Sequence, residues 1–126
     1  LIDVIEFNTD GSVHVIDYKT GKHKSRNELE GGTKNATGDY KRQLDFYCIL
    51  LELGQMERPA RLTLEFIEPD AKGNTAVHTF LYDEEKVREL KETINRVAGE
   101  IYILAFWDGG CKKEDCEYCA LRGLMV

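Results

Sequence analysis

Two alternating apolar runs, at residues 2–7 and 12–18, flank Asn8-Thr9-Asp10-Gly11, and no other feature of the chain limits its folding more. Asp-Gly between alternating runs is a strong signal for an antiparallel hairpin. Side chains alternate between faces along a strand, so Val13, Val15, Asp17 and Lys19 share one face and Asp3, Ile5 and Phe7 share one on the partner. If Phe7 stands opposite Val13 and Ile5 opposite Val15, Asp3 falls opposite Asp17. Apolar pairs then lead to two carboxylates and a lysine at one end of the hairpin. A slip of one residue would send Asp3 to the other face, so the arrangement depends on register.

The remaining pattern extends this hairpin into a sheet with helices. Residues 20–38 are polar and glycine-containing and read as a loop. Over 39–53 the residues Tyr40, Leu44, Tyr47, Cys48 and Leu51 recur at helical spacing, with Asp39 as the expected N-cap and Gly54 as the stop. Residues 61–68 alternate as a strand with Leu62, Leu64 and Phe66 on one face. A turn at Pro69–Asn74 leads to a partner strand at 76–82. Asp83-Glu84-Glu85 opens a second helix by capping and dipole logic, with Val87, Leu90, Ile94, Val97, Ile101 and Leu104 as its apolar stripe. A cysteine-bearing tail occupies 107–126. The expected order is ββαββα: an α+β, or mixed α/β, domain with one central mixed sheet and packed helices over 1–126. Because Leu1-Ile2-Asp3-Val4-Ile5 reads as the middle of a strand, the chain is expected to be a fragment of a longer polypeptide.

Composition narrows the function classes. The 126 residues carry 17 Lys+Arg against 23 Asp+Glu, which argues against coating nucleic acid through net charge. The charge is uneven, however. Residues 19–42 hold seven basic and three acidic side chains, so a basic loop that includes Lys22 and Lys24 sits on an acidic body and is suited to phosphate contact. No run approaches the roughly 18 apolar residues of a membrane span, so no membrane partner is expected. Three of the four cysteines crowd into 111–119, a spacing that favours a cytoplasmic, reducing setting with a metal or cluster site over a disulfide framework.

The acidic end of the hairpin has a chemistry of its own. Two adjacent carboxylates repel unless a cation neutralises them, and a hard divalent ion such as Mg²⁺ suits oxygen ligands and phosphate substrates. Such an ion lowers the pKa of bound water, and Lys19 would orient that water or stabilise developing phosphate charge. Taken alone, Asp17-Tyr18-Lys19 reads first as an edge salt bridge on a strand, and only its context favours the site. Gln43 and Tyr47, four residues apart on the following helix, share a face that reaches the end of the sheet. His14, His23 and His78 show no metal-ligand spacing, and no Ser-His-Asp arrangement stands out.

Ile2-Asp3-Val4-Ile5-Glu6, Val15-Ile16-Asp17-Tyr18-Lys19-Thr20-Gly21-Lys22 and Gln43-Leu44-Asp45-Phe46-Tyr47 together resemble the PD-(D/E)xK nuclease superfamily in its RecB-like branch. The similarity is to the nuclease domain at the C-terminus of UvrD/Rep-type DNA helicases. The resemblance implies a restriction-endonuclease-like core. It also implies metal-dependent cleavage of DNA by a domain of an ATP-dependent helicase acting in repair or recombination, with the helicase motor as partner. Under it Asp3 and Asp17 are acidic ligands of Mg²⁺ or Mn²⁺, the Tyr18 carbonyl completes the inner shell, and Lys19 is catalytic. Gln43 and Tyr47 support the site and contact DNA, while Glu6 matches an acidic position of open role. The family's upstream helix is not in this chain. Nor is a G-x-x-x-x-G-K-[ST] loop, so ATP use would belong to a parent polypeptide. The alternative is a DNA-binding or interaction module that has kept the fold without cleavage.

Related nucleases often hold a 4Fe–4S cluster through one upstream cysteine and a C-x2-C-x5-C set. Cys116 and Cys119 match the first pair, but the last position is Met125. Cys111 offers an alternative C-x4-C-x2-C trio, one thiolate short of a cluster or a closed zinc site, so a degenerate tail of reduced thiols without metal is the expectation here. Cys48, on a core stripe, reads as a small buried hydrophobe.

Overall fold

The computed structural model describes residues 2–105, 109, 111, 113 and 116–123. The alternating runs form strands β1 (Val4–Phe7) and β2 (Val13–Lys19), and the later pair forms β3 (Pro59–Phe66) and β4 (Ala76–Leu81). They make one mixed sheet in the order β1-β2-β3-β4. β1 and β2 are antiparallel, β2 and β3 parallel, and β3 and β4 antiparallel. The chain divides into two compact units, Leu1–Lys91 and Glu92–Val126, and the sheet lies in the first.

The hairpin takes the register that its apolar pattern requires. Phe7 stands opposite Val13 and Ile5 opposite Val15, and Val4–Ile16 is the last pair before Asp3. Gly11 supplies the left-handed turn residue at φ +83°. The Asp10 carboxylate accepts from the Ser12 amide and hydroxyl and so fixes the bend. On β2 the Val13, Val15 and Asp17 side chains are buried together.

Two helices cross between the parallel strands β2 and β3. α1 (Arg26–Leu29) is a single turn, and α2 spans Asp39–Leu53. The segment 20–38 is therefore not wholly loop. Ser25 caps α1 through a capping box with Glu28, which lets Leu29 turn fully into the core. Asp39 is not the N-cap of α2. That position belongs to Gly38, whose φ of +70° suits glycine, and Asp39 is the first helical residue, where its charge favours the helix dipole. Arg42 then bridges the Asp39 carboxylate and the Thr37 carbonyl.

The core joins both sides of the crossover. Leu44, Tyr47, Cys48, Ile49 and Leu51 of α2 pack with Val15 of β2, Leu62, Leu64 and Phe66 of β3, Phe80 of β4 and Leu29 of α1. Leu62, Leu64 and Phe66 do share the buried face that their spacing requires. Pro59 occupies the first position of β3, where its missing amide proton is tolerated.

α3 (Glu84–Tyr102) begins as expected, with Asp83 Oδ1 accepting from the Lys86 amide. Only the start of its apolar stripe is covered: Val87 belongs to the core and Leu90 packs against it. Ile94, Val97 and Ile101 are exposed, and Leu104 lies past the helix end at φ +54°. The cysteine-bearing tail contains a further helix, α4 (Glu117–Gly123). No helix among the described residues is long and apolar enough to cross a membrane.

Candidate active site

The site forms where β1, β2 and α2 meet. Asp17 is only 2% exposed. Its Oδ1 accepts a 2.7 Å hydrogen bond from the Tyr47 hydroxyl and a longer one, 3.4 Å, from Gln43 Nε2. Its Oδ2 lies 2.6 Å from Lys19 Nζ. That contact is a charge pair without hydrogen-bond alignment, so Oδ2 is a buried oxygen with no directed partner among the described residues. Lys19 Nζ in turn donates to Gln43 Oε1, and Gln43 Nε2 donates to the Tyr47 hydroxyl at 2.6 Å. Asp17, Lys19, Gln43 and Tyr47 thus form a closed ring of contacts.

The local reasons are simple. Asp17 and Lys19 are two apart on one strand and share a face. Gln43 and Tyr47 are one helical turn apart and share a face of α2. The crossover lays that face over the strand end. Burial, reinforced by the neighbouring Asp17 carboxylate, raises the Tyr47 hydroxyl well above the ordinary phenol range. Tyr47 therefore stays protonated and remains a donor to Asp17 at any working pH.

Asp3 reaches the same end from β1. Its Oδ2 accepts a 2.9 Å hydrogen bond from the Tyr18 amide, which ties the first acidic residue to the strand carrying the second. The Tyr18 side chain is exposed. Glu6 is not part of this group. It faces the opposite side of the hairpin, where it meets His14 at 3.2 Å, and His14 Nε2 in turn lies 2.8 Å from Thr63 Oγ1.

The two lysines of the basic loop separate. Lys24 Nζ lies 4.7 Å from the centre of the Tyr40 ring, and Lys19 Nζ lies 5.0 Å from the same ring. Tyr40 thus links the loop to the site through two cation–π contacts. Lys22 instead lines a separate cleft with His23, Glu68 and Asp70. Sequence reasoning placed Tyr40 on the core stripe. It is half-buried and packs edge-on against Phe66, but its ring also serves the two ammonium groups.

Carboxylate oxygens of Asp3 and Asp17, with an amine beside them, are the type of donor that a hard divalent cation takes. The buried Oδ2 of Asp17, met among the described residues by the Lys19 ammonium but by no directed hydrogen bond, is the observation that makes these residues fit one. The profile of the PD-(D/E)XK nuclease superfamily matches residues 1–124. The chain belongs to the PD-(D/E)XK nuclease superfamily. Members are generally nucleases that typically use Mg²⁺ or Mn²⁺. The mixed four-stranded sheet with packed helices agrees with the restriction-endonuclease-like fold of this superfamily. No curated protein matches the chain.

The cysteines fall into two groups. Cys48 is buried in the core, where its thiol is pushed up to about 12 by burial, and it is the small hydrophobe that its place on the stripe implied. Cys111, Cys116 and Cys119 come together, with their sulfurs within 4.8 Å of one another. Met125 lies outside the described residues.

Proposed function

We propose that this chain is a metal-dependent deoxyribonuclease domain that hydrolyses phosphodiesters, carried by an ATP-dependent DNA helicase that works in repair or recombination. The reading rests above all on the buried Asp17 carboxylate, with two donors on one oxygen and Lys19 beside the other. Asp3, Asp17 and the Tyr18 carbonyl would hold Mg²⁺ or Mn²⁺. When bound, that ion would supply a water of lowered pKa and a counter-charge for the phosphoryl oxygens.

The chain's own residues supply the rest. Tyr47 and Gln43 fix the Asp17 carboxylate from the helix side, so its orientation is set before DNA arrives. Gln43 also holds the Lys19 ammonium through its amide oxygen and aims it along the strand end. From there Lys19 stabilises charge that develops on the scissile phosphate or steadies the attacking water. Lys24, seated on Tyr40, extends the positive surface toward the DNA backbone, and Lys22 adds charge at the neighbouring cleft. The helicase motor of the parent polypeptide would feed a strand to this site.

The test is cleavage of end-labelled single-stranded and duplex DNA with Mg²⁺, Mn²⁺ or EDTA, by a protein extended upstream, beside its Lys19→Ala variant. Cutting that needs the ion and falls by about 10²–10⁴-fold in the variant is the expected outcome. DNA binding by folded protein with no cutting in any ion would reject the nuclease and leave a DNA-binding module.

A further inference from the structure

The unit Glu92–Val126 poses a problem of stability. Among its described residues no side chain is buried, and the only two that are even half-buried are Cys116 and Cys119. A short segment whose described residues supply no apolar core is the kind that a covalent or metal staple holds in one conformation. These two cysteines converge with the exposed Cys111: the Cys119 and Cys111 sulfurs are 3.6 Å apart, and all three sulfurs lie within 4.8 Å. The Cys111 amide also donates to Cys119 Sγ at 3.3 Å, the kind of backbone contact that steadies a metal-bound sulfur.

The spacing discriminates between metal centres. Thiolates that share one tetrahedral Zn²⁺, each about 2.3 Å from it, lie about 3.8 Å from one another. In a four-iron cube each cysteine ligates a different iron, so the sulfurs stand further apart than a shared ion permits. One pair at 3.6 Å and all three sulfurs within 4.8 Å stand nearer the edge of a mononuclear tetrahedron than the wider spacing of thiolates on a cube. We infer that Cys111, Cys116 and Cys119 form a mononuclear thiolate site for a borderline-soft divalent cation of the Zn²⁺ class, which closes residues 111–119 onto α4. The fourth coordination position falls to water or to a ligand outside the trio. The role is structural and independent of DNA cleavage.

The test uses the whole chain, reduced and free of oxygen, titrated with Co²⁺ and then Zn²⁺. The expected result is one Co²⁺ per chain, with a sulfur-to-cobalt charge-transfer band and the visible absorption of a tetrahedral ion, both removed by Zn²⁺. A Cys116→Ser/Cys119→Ser variant should lose the band, and Cys48→Ala should keep it. Zn²⁺ should also slow proteolysis within 92–123 in the parent chain and not in the double variant. Absence of the band, or a band unchanged in the double variant, would overturn the site. So would assembly of a four-iron cluster on these cysteines from iron and sulfide in preference to Zn²⁺.

Discussion

Two buried aspartates, each beside a lysine, one on β2 and one on α2, are built differently. Asp45 is 6% exposed and lies one helical turn from Lys41, whose ammonium bonds its Oδ1. Burial holds its carboxyl above the ordinary aspartate value, and Lys41 only partly offsets that. Asp17 is at least as buried, but it meets a hydroxyl, an amide and an ammonium from two different elements, and one of its oxygens is left without a directed bond. The first is a local pair, complete in itself. The second is a pair with an acceptor to spare, drawn together by tertiary structure. Burial and an ion pair are common to both, so what sets Asp17 apart is the convergence of donors from two elements.

The largest expected effect separates the two directly. Asp17→Asn should reduce metal-dependent cleavage by about 10²–10⁴-fold, while Asp45→Asn should leave it within a few-fold, read as single-turnover rates on the same DNA. Equal losses would erase the distinction.

A stability measurement sharpens the other side. Lys41→Met strands the buried Asp45 carboxylate and should cost about 1–3 kcal/mol in denaturant unfolding. Adding Asp45→Asn should restore most of that, because the buried charge leaves with its partner. No such rescue should follow for Lys19→Met with Asp17→Asn, since Tyr47 and Gln43 remain arranged for a carboxylate.

The smallest effect is in pH dependence. The folded Asp45 carboxyl binds its proton more tightly than the unfolded one, whose ordinary value is 3.8. Its contribution to stability is therefore fully present below pH 3.8 and is lost as pH rises through the raised folded value. Asp45→Asn should flatten that part of the curve in urea midpoints taken across acid pH, with the other carboxylates unchanged.

The sequence made much of this fold legible because period and punctuation agreed. Alternation with Asp-Gly set the hairpin register, with Val4 opposite Ile16, and it leaves Asp3 just beyond that last pair, bonded to the Tyr18 amide. The helical spacing of Leu44, Tyr47, Cys48 and Leu51 placed α2 and predicted which face it buries. The misses share a cause. α1 was overlooked because its capping box lies among glycines and charges, although Ser25-Arg26-Asn27-Glu28 carried the signal. Asp39 looked like a cap because acidic residues favour both the cap and the first turn. The stripe of α3 stays largely uncovered because periodicity reports amphipathicity and not what a face meets. Tyr40 and Asp45 could not be sorted by spacing, since sharing a ring between two lysines, or lacking a second donor, is a property of neighbours far apart in sequence.

The parallel pairing of β2 with β3 has a consequence for how the molecule is made. The β1–β2 hairpin closes locally and can form within microseconds, bringing Asp3 to Asp17 early. β2 cannot find β3 until residues 20–58 have wrapped across it, and such non-local contacts form late. Tyr47 and Gln43 ride on that crossover. Within the hairpin the acidic pair has the Tyr18 amide and Lys19 beside it, and the Tyr47 and Gln43 donors come only with the crossover. A cation recruited by the nascent hairpin would act as a folding partner before it ever served as a reagent.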